Sequence, residues 1–118
     1  MTSYELEVRE TDLGKAMLAE LSGELDLTNA DELERRLDEL AADSSALVLD
    51  LNGVEFLDSA ALHVLFGLAR RSASEARGFG LVLGSEAPVA RTLSMVNFGE
   101  VAPVRSTLED VLAGLGTP

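Results

Sequence analysis

The feature that most constrains the fold is an almost unbroken apolar run at residues 46–51. It consists of Ala-Leu-Val-Leu-Asp-Leu and contains one acidic side chain, Asp50. A strand of this kind is typical of the centre of a sheet that helices cover on both faces. The sequence therefore predicts an α/β domain in which this run is the central strand.

Strand patterns occur on both sides of this run. Residues 4–8 alternate apolar and polar side chains, residues 15–22 are predicted to form a second strand, and residues 11–14 a hairpin turn between them. Residues 80–83 (Gly-Leu-Val-Leu) are predicted to be a short buried strand. Residues 101–105 contain a proline, which a strand tolerates at a sheet edge, so they are predicted to be an edge strand.

Helical patterns alternate with these strands. Residues 28–43 place apolar side chains on one helical face, and capping-box patterns begin at Thr28 and Ser106. Further helices are predicted at about residues 59–75, 88–96 and 108–115. The order β-β-α-β-α-β-α-(β)-α predicts a mixed, largely parallel sheet of four to five strands packed with about four α-helices.

Length and composition predict one domain over residues 1–118. Hydrophobic residues make up 47% of the chain, which argues against intrinsic disorder. The absence of cysteine excludes disulfides, thiolate metal sites and cysteine nucleophiles. Since the sequence has neither a secretory signal pattern nor an apolar stretch of membrane-spanning length, we expect a cytoplasmic protein.

The net charge is −12, from 21 acidic and 9 basic residues. Nucleic-acid binding needs clustered Lys and Arg, and Lys15 is the only lysine, so the charge argues against nucleic acid and against anionic membranes. A basic or mixed-charge protein partner is compatible with this charge. Acidity that only keeps the domain soluble is the simpler interpretation.

The stretch between the central strand and the second helix carries the most functional information. The chain is predicted to turn at Asn52 and Gly53 and to enter the helix through Asp58, a good N-cap residue. Ser59 follows in the first turn, where backbone N–H groups have no intrahelical acceptor. Because the positive end of the helix dipole also favours an anion, this position can accommodate a phosphate.

The second helix is predicted to have a packed side and a polar edge. The packed side is predicted to consist of Leu62, Leu65, Phe66, Ala69 and Ala73. The polar edge is predicted to consist of Ser59, His63, Arg70 and Ser74. A partner could reach Ser59 along this edge without disturbing the core. On spacing alone, a serine that only caps the helix is the simpler interpretation.

Two motifs, in the right order and at the right separation, resemble the STAS family. Residues 23–26 (Gly-Glu-Leu-Asp), between a strand and a helix, are similar to the opening of that family. Residues 48–54, which lead into residues 56–59 (Phe-Leu-Asp-Ser), are similar to its central motif. Residues 80–83 and 88–99 match its second half, so the resemblance spans nearly the whole chain.

Stand-alone members of that family are anti-sigma factor antagonists. In them, the serine directly after the aspartate is phosphorylated by the anti-sigma factor, a protein kinase of histidine-kinase-like ATPase fold. The resemblance therefore implies that Ser59 is the phosphoacceptor and Asp58 its neighbouring acid. It also implies that the unphosphorylated protein binds the anti-sigma factor and so frees a sigma factor, and it makes a phosphoacceptor the favoured interpretation of Ser59.

The chain departs from the family pattern directly after Ser59. The family usually continues with Ser or Thr and then Gly, whereas this chain has Ala60 and Ala61. Ala61 is expected to add a methyl group where a partner approaches closely. With the resemblance added, the predicted partner-binding residues are Asp26, Asp58, Ser59, Ala60, Ala61, His63 and Arg70.

Two alternatives keep an α/β fold. A non-phosphorylated STAS module of a transporter or signalling scaffold would have the same fold, with Ser59 only as a cap. A phospho-acceptor receiver domain would use Asp50, but it also needs an acidic pair after the first strand and a late lysine, and Lys15 comes too early. Asp50 is better interpreted as accepting hydrogen bonds from the residues that follow it.

An enzyme is the weakest interpretation. Ser59 and His63 lie one helical turn apart and could form a nucleophile and base, but the sequence offers no obvious third group. The nucleophile-elbow motif G-x-S-x-G is absent. One histidine, no cysteine and scattered carboxylates indicate no metal site, and no cofactor is expected.

Overall fold

The computed structural model describes residues 3–11 and 16–115, and it contains one five-stranded sheet. The strands are β1 (Tyr4–Glu10), β2 (Ala16–Leu25), β3 (Ala46–Leu57), β4 (Gly78–Val82) and β5 (Val104–Arg105). They lie in the order β1-β2-β3-β4-β5. β1 pairs with β2 in antiparallel orientation and the other neighbours are parallel, which confirms the predicted mixed, largely parallel sheet.

Four α-helices and a short 3-10 helix connect or follow these strands. The α-helices are α1 (Ala30–Ala42), α2 (Ser59–Ser74), α3 (Ala90–Met95) and α4 (Leu108–Gly114). The 3-10 helix, Phe98–Glu100, lies between α3 and β5. The predicted alternation of elements is confirmed. The predicted hairpin of β1 and β2 is confirmed by their pairing, while residues 12–15, with most of the predicted turn and Lys15, lie outside the described residues.

The core has two parts because helices cover both faces of the sheet. Leu47, Leu49 and Leu51 of β3 belong to the larger cluster, together with buried residues of α1, α2 and α3. Val48 points to the other face, where it packs with Val82 and Val111 of α4 in a smaller cluster. Alternate side chains of residues 46–51 therefore enter two cores, as the apolar run predicts.

The predicted turn at Asn52 and Gly53 is wrong, because β3 continues through both residues to Leu57. Its register with β2 shifts from Glu20↔Asp50 to Ser22↔Gly53, so β3 has one more residue than β2 over this stretch. The irregular backbone is held by side chains. The Asn52 N–H donates to Asp50 Oδ1 at 2.9 Å, and the Gly84 N–H donates to Asn52 Oδ1 at 2.9 Å.

The first helix also begins later than predicted. Its N-cap is Asn29 rather than Thr28, and the Asn29 side chain bonds to the preceding loop instead of capping the helix. Asn29 Oδ1 accepts from the Asp26 N–H at 3.0 Å, and Asn29 Nδ2 donates to the Glu24 carbonyl at 2.9 Å. The Thr28 hydroxyl donates to Asp26 Oδ1, in the turn before the helix.

Two later helices differ in their ends. The helix α3 is shorter than the predicted residues 88–96. The helix α4 is capped by Thr107 rather than Ser106, with Thr107 Oγ1 accepting from the Asp110 N–H at 3.1 Å. Across residues 3–11 and 16–115, no helix has both the length and the apolar character that crossing a membrane requires.

Candidate functional site

Asp58 joins the start of α2 to the loop between β2 and α1. Its Oδ1 accepts from the Ala61 N–H at 3.1 Å, which confirms the predicted N-cap. Its Oδ2 accepts from the Leu27 N–H at 3.1 Å, and its own N–H donates to the Leu25 carbonyl at 3.2 Å. One carboxylate therefore satisfies a backbone donor on its own helix and another on Leu27, which lies 31 residues before Asp58 in sequence.

Ser59 is exposed and is the first residue of α2. Its hydroxyl makes no hydrogen bond to any residue in the described ranges, so it is available to a partner. The N–H groups of Ser59 and Ala60 occupy the first two helical positions, where no intrahelical acceptor exists. An anion on the Ser59 oxygen would face these donors and the positive end of a helix of 16 residues.

Asp26 lies in the loop that Asp58 holds. The Asp26 carboxylate accepts from the Thr28 N–H at 2.9 Å and from the Thr28 hydroxyl, so it orders the turn before α1. The next residue, Leu27, is the one that donates to Asp58. The structure therefore places the two sequence motifs, residues 23–26 and 56–59, side by side at the carboxyl ends of β2 and β3.

Leu27 lies on the surface formed by the loop between β2 and α1 and by the start of α2. The sequence interpretation did not include it among the candidate residues. It is 77% exposed, the highest exposure among the large hydrophobic residues of the described chain. The sequence does contain a sign of this exposure. Leu27 is an apolar residue between two polar turn residues, Asp26 and Thr28, and it precedes α1, so it is not part of that helix's apolar face. A protruding leucine beside Ser59 offers an apolar contact to a partner.

Ala61 does not lie at the surface, contrary to its predicted partner-binding role. Its exposure is 0%, and it is packed in the main core cluster. The methyl group that distinguishes it from the family's glycine therefore faces the interior. Ala60 is half-buried and also packs against that cluster.

His63, Arg70 and Ser74 are exposed on α2, as Ser59 is, which agrees with the predicted polar edge. The predicted packed side is only partly right. Ala73 is exposed, and Leu62 and Phe66 are half-buried. The buried residues of α2 are Ala61, Val64, Leu65, Gly67, Leu68, Ala69 and Ser72. The buried face is broader than one stripe because α2 contacts α1 as well as β3 and β4.

The helices α1 and α2 are also linked by charge. Arg71 of α2 lies 2.9 Å from Asp38 Oδ1 and 3.4 Å from Glu34 Oε2 on α1. A second polar contact links β1 to α1. The Tyr4 hydroxyl donates to Glu32 Oε1 at 2.8 Å and accepts from Arg36 Nη1 at 3.1 Å.

Asp50, the acceptor of the receiver-domain alternative, has a structural role. Asp50 is half-buried, and its Oδ1 accepts from the backbone and side-chain nitrogens of Asn52, so it supports the irregular part of β3. Ser59 and His63 are not hydrogen-bonded to each other. Within the described ranges, no group of three or more His, Cys, Asp or Glu residues is placed to hold a metal ion.

The fold and the two adjoining loops define this chain as a member of the STAS domain family. The family model for the STAS domain matches residues 5–111, which is most of the chain.

Two anti-sigma factor antagonists are similar to this chain, one in sequence and one in both sequence and structure. The chain is 34% identical over 103 residues to the anti-sigma-F factor antagonist RsfB of Mycobacterium tuberculosis, covering 86% of this chain and 82% of that protein. It superimposes on the crystal structure of an anti-sigma factor antagonist from Mycobacterium paratuberculosis with a TM-score of 0.81 and 31% identity, covering 96% and 94% of the two chains.

A more distant structure shows the fold alone. The Bacillus cell fate determinant SpoIIAA in its phosphorylated form has a TM-score of 0.64 and 16% identity to this chain, covering 94% of this chain and 97% of SpoIIAA.

Proposed function

We propose that this chain is an anti-sigma factor antagonist that acts by binding an anti-sigma factor and so releases a sigma factor. The single observation that carries the proposal is an exposed serine at the first position of α2, directly after the aspartate of the STAS motif. The names of its mycobacterial relatives support the same role. The role is regulatory rather than catalytic, and it would be exercised in the cytoplasm, where the sigma factor meets RNA polymerase.

The partner is proposed to be an anti-sigma factor that is also a serine kinase of histidine-kinase-like ATPase fold. Its proposed contact surface consists of Asp26, Leu27, Asp58, Ser59, Ala60, His63 and Arg70. Ala61 is omitted because its side chain is buried. The surface combines a protruding leucine with polar groups on both sides of Ser59, a composition that suits a reversible interface with an apolar centre and a polar rim.

Phosphorylation at Ser59 is the proposed off-switch. The kinase transfers the γ-phosphoryl group of ATP to Ser59 Oγ, forming an O–P bond while the bond to the bridging oxygen of ADP breaks. The hydroxyl proton passes to a base on the kinase. The product carries about 1.5 to 2 additional negative charges next to Asp58.

The same charge has opposite effects in the free domain and in the complex. In the free domain the phosphate is exposed to water, and the N–H groups at the start of α2 partly offset its charge. In the complex it would be desolvated, and its repulsion with the Asp58 carboxylate would no longer be screened by water. A difference of about 3 kcal/mol would weaken binding roughly a hundredfold, which is enough for a switch.

A binding measurement with the kinase-like anti-sigma factor tests the proposal. Wild type, Ser59→Ala and Ser59→Asp would be compared by calorimetry, with and without Mg-ATP, and intact mass spectrometry would count added phosphoryl groups. We expect one phosphoryl group on wild type, none on Ser59→Ala, and roughly hundredfold weaker binding by Ser59→Asp.

Ser74→Ala is the matched control, because Ser74 is an exposed serine on the same helix. It should be phosphorylated and released like wild type. Equal binding by Ser59→Ala and Ser59→Asp would remove Ser59 from the mechanism. Binding without any phosphoryl transfer would instead support the alternative, a non-phosphorylated STAS adaptor of a transporter or signalling scaffold.

A further inference from the structure

A groove of about 750 Å³ lies at the carboxyl ends of β4 and β5, and its lining shares no residue with the Ser59 site. Leu83 follows β4, Arg91 and Ser94 belong to α3, and Arg105 ends β5. In α/β sheets, ligands bind in crevices outside the carboxyl ends of parallel strands. The volume lies within the range of small-molecule sites.

The segment after α3 lines one side of the groove and is anchored to α2. Phe98 of the 3-10 helix is fully buried, and its ring lies 4.8 Å from that of Phe66 on α2. The walls beneath the opening are apolar, since Leu83 and Leu93 are buried residues of the core that also line the groove. This part of the groove suits an apolar group.

The charge of the groove is opposite to that of the molecule. Two arginines, Arg91 and Arg105, and one acid, Glu100, line it, which gives a formal charge of +1 in a chain of −12. Both arginines are exposed, and among the described residues neither has a carboxylate within ion-pairing distance. The guanidinium of Arg105 donates one hydrogen bond, to the Val104 carbonyl at 3.0 Å. Unpaired arginines beside an apolar wall favour a ligand that carries a negative charge.

We propose that this groove binds a small organic anion, with a phosphate or carboxylate held by Arg91 and Arg105 and an apolar body against Leu83 and Leu93. The proposal does not depend on phosphorylation of Ser59 or on an anti-sigma factor. It gives the domain a second site, separate from the partner surface, that a small molecule can occupy.

Amide NMR titrations of the full chain test this site with four probes: phenyl phosphate, benzoate, inorganic phosphate and the neutral benzyl alcohol. We expect saturable shifts at the Gly84, Ser94 and Gly99 amides with one or both aromatic anions, at a dissociation constant of about 1 mM for ligands this small. Inorganic phosphate and benzyl alcohol should each bind at least about tenfold more weakly. Inorganic phosphate lacks the apolar body, and benzyl alcohol lacks the negative charge. Phenyl phosphate and benzoate together tell which anion the arginines prefer.

Arginine variants complete the test. Arg91→Ala and Arg105→Ala should each weaken binding of the preferred anion about tenfold. Arg35→Ala is the control, because Arg35 is exposed on α1 and pairs with Glu39 outside the groove. Thermal melting would verify that all three variants are folded. Absence of saturable shifts with both aromatic anions, unchanged affinity in both groove variants, or equal binding of benzyl alcohol would overturn the proposal.

Discussion

At the level of single residues, the Asp58 carboxylate accepts two backbone hydrogen bonds, whereas the neighbouring Ser59 hydroxyl makes none with the described residues. Asp58 can be recognised from the sequence as an N-cap, because capping chemistry is local. Its bond to Leu27 could not be predicted, since it depends on how β2 and β3 pair. For the same reason the exposure of Leu27 was not predicted, although Ser59 was identified from its motif.

Replacement of Asp58 should cost more than loss of a cap alone. Asp58→Ala removes the acceptors of the Ala61 and Leu27 N–H groups, so we expect a loss of about 2 kcal/mol in the free energy of unfolding. Asp58→Asn keeps one accepting oxygen and should lose about half as much. Urea denaturation measures both. Asp43→Ala, an exposed acid at the C-terminal end of α1, is the control; a similar loss there would contradict the assignment.

Tyr4 should make stability sensitive to alkaline pH. Burial raises the pKa of Tyr4 above its ordinary value of 10.0, and the hydrogen bond to Glu32 raises it further. Since the folded state holds the phenolic proton more tightly, this contribution is complete below pH 10.0 and is lost as pH rises through the folded pKa. Urea midpoints of wild type should therefore fall more steeply than those of Tyr4→Phe in this alkaline range. Parallel pH profiles would show that Tyr4 has no such role.

At the level of elements, the sequence predicts the helices and strands because their patterns are local. It does not predict where strands become irregular or which side chains pair, because tertiary contacts decide these details. Asn52 and Gly53 have strong turn propensity, yet pairing with β2 keeps them in an irregular strand. In α1, Asp31 and Glu39 are each four residues from Arg35, so spacing alone does not decide its partner, and the structure pairs Arg35 with Glu39. The groove beside β5 had no sequence signal, because it is lined by residues of several segments that come together only in the fold.

The ion pairs between α1 and α2 should stabilise the domain modestly. Arg71 reaches Asp38 and Glu34, but its side chain is 42% exposed, so solvent screening limits the effect. We expect Arg71→Ala to lower the free energy of unfolding by about 1 kcal/mol at low salt and by less in 1 M NaCl, where the Debye length is about 3 Å. Arg35→Ala, which breaks a pair between two exposed side chains of one helix, should have a smaller effect. If Arg71→Ala lowered the free energy of unfolding equally at low and high salt, Arg71 would stabilise the domain through packing rather than through charge.

At the level of the whole molecule, the net charge of −12 acts against the compact state by self-repulsion. Fold class and single-domain architecture were predictable at this level, because burial of the apolar run and the alternation of elements leave few other arrangements.

Moderate salt should therefore stabilise the domain even though it weakens individual ion pairs. Raising NaCl from about 0.01 to about 0.1 M shortens the Debye length from about 30 to about 10 Å, which screens the distant repulsions first. We expect a higher thermal midpoint at the higher salt concentration. The opposite trend would mean that attractive pairs such as Arg71–Asp38 dominate the electrostatic energy.

The inward position of Ala61 has a consequence for how the proposed contact surface can distinguish between partners. A docking protein cannot contact a methyl group that faces the interior, so Ala61→Gly should leave the choice of partner unchanged. On the proposed contact surface, Leu27, His63 and Arg70 are exposed, so discrimination between partners is expected to depend on these side chains. Changes of partner specificity are thus expected at exposed positions around Ser59, while the buried start of the helix beneath them is retained.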